Sequence, residues 1–145
     1  MLFLTAAFLL FVAALIGVSA FALYRGGRDE RAATMAFLIA LLASQPASLL
    51  TPPAAGPQFA VMAVDAALCV AFMAIAARST RFWPIWATAS QLVGTFTHLA
   101  AILRPQLAVE AYATTQPFWA FPILAAIAIG TRTQVEQAGR RRLPS

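Results

Sequence analysis

Long uncharged runs alternate with short arginine-bearing connections, and that alternation sets the class of the chain. Residues 2–24 hold no charge and are followed at once by Arg25, Arg28 and Arg31. Residues 32–50, 58–77 and 82–103 repeat the pattern, with Asp65 the one charge inside them. Runs of this length match the roughly 20 residues that a helix needs to cross the hydrocarbon core. A fifth run, 111–130, begins with Thr114, Thr115, Gln116 and Pro117, and only 118–130 is strongly apolar. The pattern predicts an all-α polytopic transmembrane helix bundle of five spans, approximately 2–24, 32–50, 58–77, 82–103 and 111–130. Four spans plus a re-entrant segment is the alternative for 106–122. The spans form a single domain over 1–131, and 132–145 is a basic tail.

A secretory signal peptide competes for the first run, because Val18-Ser19-Ala20 has the small residues of a cleavage site. No arginine or lysine precedes that run and it is long for such a segment, so it reads as a span. The connections are short. Residues 26–31 read as a tight polar turn, 51–57 as an uncharged Pro-rich loop, 78–81 as a basic turn, and 104–110 as a loop flanked by Arg104 and Glu110. Pro46 predicts a kink in the second span. Trp83 and Trp86 fit an interfacial aromatic belt.

Composition agrees with this reading and narrows it. A hydrophobic share of 61% against 10% charged residues is outside the range of soluble domains. The net charge of +5 comes from ten arginines and no lysine against five acids. Those arginines lie in the gaps between apolar runs, which argues against nucleic acid as a partner and for the lipid bilayer. Arg140, Arg141 and Arg142 suit anionic lipid. Successive connections carry three, none, two and one arginine, and the tail carries four. Five spans put nine of the ten arginines on one side. By the preference of cytoplasmic loops for positive charge, the N-terminus is expected outside and the C-terminus in the cytoplasm. Arginine without lysine, beside abundant alanine, points to a bacterial inner membrane. The single cysteine, Cys69, forms no intramolecular disulfide and no cysteine-based metal site.

The candidate chemistry lies within the spans. At 100° per residue Thr88, Gln91, Thr95 and His98 fall within about 80° of one another and make one polar line on the fourth helix. With about 1.5 Å of rise per residue, Asp65 comes within about 4 Å of the midplane and His98 about 7 Å from it. Ser44, Gln45 and Gln116 fall in the same half. An ionised carboxylate at that depth needs a proton or a partner. His98 is the natural candidate, with Gln91 and Thr95 as alternatives. Asp65, His98, Gln91, Thr95, Thr88, Gln45 and Gln116 therefore form a candidate polar cluster. It suits a proton or ligand site, or more simply a set of hydrogen bonds that fixes packing. Phosphate-loop, nucleophile-elbow and zinc-protease motifs are missing from the sequence, so no enzyme activity, cofactor or metal is expected. The function read from the chain is a non-catalytic accessory or assembly subunit of a larger membrane complex, with other membrane-protein subunits as partners. A small transporter or ion-coupled binding protein using Asp65 and His98 is the alternative.

Overall fold

The computed structural model describes residues 2–50, 59–103 and 116–140, and over these the chain is helical. Helix α1 spans Leu2–Arg25, α2 Arg28–Leu50, α3 Phe59–Arg78 and α4 Trp83–Leu103. A 3-10 turn, Gln116–Trp119, leads into α5, Ala120–Arg140. The loops expected at 51–57 and 104–110, with residues 141–145, lie outside the described residues.

Local chemistry explains the helix ends. The Gly26 amide donates to Ala22 O at 2.9 Å and closes α1. A Cβ at Gly26 would sit 2.3 Å from that same carbonyl oxygen, so only glycine fits the turn. The Glu30 carboxylate, three residues beyond Gly27, accepts the Gly27 amide at 2.9 Å. That one-sided cap, the acid half of a capping box, starts α2 at Arg28, four residues before its apolar pattern begins. Pro84 occupies the second position of α4, where a missing amide hydrogen costs no helical bond.

The fifth helix corrects the sequence reading. It begins at Ala120 rather than 111 and continues ten residues past Gly130, so 131–140 is helix and not tail. Pro122 is tolerated because it lies in the first turn.

The helices pack in a ring. Each neighbours the next in chain order, α5 returns to α1, and α2 touches α5 across the middle. Phe11 packs edge-on against Phe121, with centroids 5.8 Å apart, while a Cβ at Gly27 would lie 3.4 Å from the Gln134 side chain. The two helices therefore ascend together, and α1 and α5 form the parallel pair of the ring. Phe37, Leu68, Phe72, Ile123 and Ile127 fill the centre, and Ala22, Ala33, Ala40 and Ala87 let helices approach closely. The outside is apolar as well, with Leu10, Ile16, Leu42, Val70, Phe96 and Ile129 all exposed. Water does not tolerate so continuous an apolar face, whereas lipid does. Among the described residues three helices, over Phe8–Arg25, Arg28–Leu49 and Phe59–Arg78, are long and apolar enough to cross a membrane. The polar residues of α4 and the charged second half of α5 set those two helices apart.

One end of the ring is closed by a polar clasp. Glu30 is 1% exposed and accepts from Arg81 Nη1 at 2.5 Å and from Trp83 Nε1 at 3.0 Å. Arg81 also donates to Gln134 Oε1, to Gln137 Oε1 at 3.1 Å and to Gly130 O at 3.3 Å. Trp83, expected at a lipid interface, is instead buried in this clasp; Trp86 remains exposed. The two short turns are thus joined through one arginine.

Candidate functional site

The opposite half of the ring holds the polar cluster. Asp65 sits in the second turn of α3, and α4 runs antiparallel beside it, so Gln91 and His98 meet it from positions two turns apart on one face. His98 Nε2 lies 2.6 Å from Asp65 Oδ2. Gln91 Nε2 donates to Asp65 Oδ1 at 3.3 Å and to the Asp65 carbonyl at 3.2 Å. The His98 side chain is 3% exposed and that of Asp65 22%. The carboxylate is thus the more open partner of a short contact.

The expected polar line on α4 divides in two. Thr88 Oγ1 donates to Pro84 O at 2.7 Å and Thr95 Oγ1 to Gln91 O at 2.9 Å, so both hydroxyls return to their own helix. Neither has a hydrogen bond to Asp65. Gln45 is exposed and faces the same space as Asp65. The Gln116 side chain lies outside the described residues.

Asp65, Gln91 and His98 line a cavity of about 400 Å³ between the helices. Every helix contributes to its wall: Phe8 and Phe11 from α1, Phe37 and Ser44 from α2, Leu68 from α3, and Ile123 from α5. Trp119 enters the wall from the 3-10 turn, and its Nε1–H is buried without a hydrogen-bond partner. An unmet buried donor is costly. The volume is within the range of small-molecule sites, and the wall has the usual make-up of mostly apolar residues with few polar groups.

No family model, curated protein or solved structure matches the chain. The chemistry must be read from the site itself. Among the described residues no group of three or more metal-ligating side chains converges. Cys69, one turn beyond Asp65, is buried and does not line the cavity. The wall offers one acid and one imidazole in contact, an amide braced against the acid, an indole donor and several aromatic rings. That set can hold and release a proton and can embrace a compact amphipathic molecule.

Sequence reasoning paired Asp65 with His98 from depth and placed Gln91 with His98 on one polar line of the fourth helix. It missed Trp119, which looked like packing, and the aromatic wall, which carries no motif. It also missed the clasp. A tryptophan two residues from Arg81, with an acid at the matching end of α2, was the available signal.

Proposed function

We propose that this chain is a five-span bacterial inner-membrane protein whose helix ring encloses a proton-linked binding cavity for a small amphipathic molecule. The observation that carries this reading is the Asp65–His98 contact in the wall of a cavity to which all five helices contribute. A packing hydrogen bond needs no cavity beside it, and a titratable pair exposed to one is how a bundle couples ligand to proton. Arg25, Arg28, Arg31, Arg78, Arg132 and Arg140 are exposed near the clasp end of the ring, which supports a cytoplasmic clasp and an outward-facing cavity. Reporter fusions after Gly56 and Gly139 are expected on opposite sides of the membrane; the same side would sink the five-span topology.

The binding claim is tested on purified protein in a neutral detergent with triphenylphosphine oxide, a neutral probe bearing one acceptor oxygen. It is expected to bind, and Leu41→Trp, which adds bulk at a half-buried position of the wall, is expected to abolish binding while the protein stays folded. Absence of binding, or binding indifferent to Leu41→Trp, refutes the reading.

An accessory subunit of a membrane complex is the second reading. Ala13 and Gly17 favour it, because both are exposed on α1 and a Cβ at Gly17 would meet nothing within 4 Å. Small residues of this kind suit a further helix. Recovery of the protein alone after mild extraction counts against it.

A further inference from the structure

We propose that the occupant of the cavity is a lipophilic monocation, and that it enters in exchange for the proton held by the Asp65–His98 pair. The proposal rests on the binding reading above and names its ligand class.

Charge decides the class. Asp65 and His98 are the only titratable groups among the described residues of the wall. The other elements bring none to it: α1 presents Phe8 and Phe11, α2 presents Phe37, Ser44 and Gln45, and α5 presents Ala120 and Ile123. From α4, besides His98, the wall receives Gln91, Gly94 and Thr97, none of them ionisable. Arg81, in the clasp, is engaged by Glu30.

A carboxylate in such surroundings is strongly disfavoured unless one positive charge accompanies it. The pair meets that need by holding one proton as a unit, with an imidazolium against a carboxylate or the equivalent neutral form. The space beside Asp65 offers a second way to meet it. A cation that settles there supplies the positive charge, and the proton on the pair becomes redundant. The exchange balances: the protonated pair and a free cation become the deprotonated pair with bound cation, and one proton passes to solvent. No bond other than that N–H or O–H is broken.

Three features of the site fit a cation better than a neutral or anionic guest. The partner of Asp65 is a histidine, which can give up its charge, whereas the acid of the clasp is held by an arginine, which cannot. Asp65 is the more exposed member of its pair, so its carboxylate faces the guest while His98 stands behind it. Phe8, Phe11, Phe37 and Trp119 surround the space with aromatic rings, whose faces attract organic cations. Among the described residues of the wall no arginine is present to receive an anion beside Asp65.

The test uses tetraphenylphosphonium, which has a permanent charge and no acceptor, beside neutral triphenylphosphine oxide. Both are titrated calorimetrically into the full chain in dodecyl maltoside, in two buffers of different ionisation enthalpy. Tetraphenylphosphonium is expected to bind with release of about one proton, so its Kd rises about tenfold per unit fall in pH on the acid side. The oxide is expected to bind without proton release or pH dependence. Asp65→Asn is expected to weaken the cation by at least about tenfold and leave the oxide unchanged. His98→Gln is expected to keep cation binding and proton release, with Asp65 alone then holding the exchanged proton, and to move the pH range of the dependence. Oxide binding without cation binding overturns the cation assignment and leaves the cavity reading intact. Cation binding without proton release, or equally strong in Asp65→Asn, overturns the exchange. Failure of both probes overturns the cavity reading itself.

Discussion

Arg81→Met removes the cation of the clasp and keeps most of its stem. The Glu30 side chain is 2% exposed, so the substitution leaves a buried carboxylate with only Trp83 Nε1 and the Gly27 amide as donors. Breaking a buried ion pair from one side costs about 3–5 kcal/mol. Arg81 itself is 20% exposed, so water reaches part of the site and the lower end, about 3 kcal/mol, is expected. Glu30→Gln turns one acceptor oxygen into a donor that faces a donor, for about 1–3 kcal/mol. Combining the two removes the charge together with its partner. The double variant is therefore expected to lose less than the sum of the singles, by at least about 1.5 kcal/mol. Unfolding in mixed micelles by added SDS, followed by far-ultraviolet circular dichroism, gives all four corners of the cycle. A loss of about 3 kcal/mol is a large fraction of an ordinary stability of about 5–15 kcal/mol, so the shift will be easy to read. Additivity within about 0.5 kcal/mol would refute the claim that Glu30 and Arg81 stabilise the fold as a pair.

Two glycines on one helix are expected to respond in opposite directions. A Cβ at Gly130 would fall 2.5 Å from Trp83 Nε1, so Gly130→Ala overpacks the clasp and lowers stability by about 1–3 kcal/mol, even after its gain in helix propensity. Nothing lies within 4 Å of a Cβ at Gly139, so Gly139→Ala is expected to be neutral or to gain up to about 1 kcal/mol in the same SDS titration. On α4, Thr88→Val and Thr95→Val each remove a hydroxyl that bonds only to its own helix, and each is expected to change stability by less than about 0.5 kcal/mol. A larger loss at either position would mean that the hydroxyl serves a neighbouring helix.

Hydropathy alone located four helices closely. Spans read as 2–24, 32–50, 58–77 and 82–103 became Leu2–Arg25, Arg28–Leu50, Phe59–Arg78 and Trp83–Leu103. The one sizeable error among them, at the start of α2, arose because Arg28, Asp29 and Glu30 look like a turn to any scale that scores only polarity. The Glu30 cap makes them helical. The same blindness misplaced α5. Its apolar stretch ends at Gly130, but Gln134 and Gln137 find Arg81 across the ring and carry the helix onward. Asp65 and His98 were legible together because two polar groups at equal depth on antiparallel neighbours have few other places to go. The clasp was not, since its acid and arginine are 51 residues apart and each sits among ordinary turn residues. The cavity is a property of how five surfaces fail to meet, and no single stretch of sequence encodes that.

That separation of 51 residues has a consequence for how the protein is made. A chain emerging vectorially presents Glu30 long before Arg81 and Trp83 exist, and Asp65 before Gln91 and His98. During synthesis both acids must therefore rest at the membrane edge, stay wet, or carry a proton of their own. Closure of the ring also waits for α5, which must slot between α1 and α4 and bring Gln134 to the waiting arginine. Biogenesis then proceeds with its two acids unguarded until the end, and a ribosome that stops before residue 120 leaves a protein with a missing wall and an open latch.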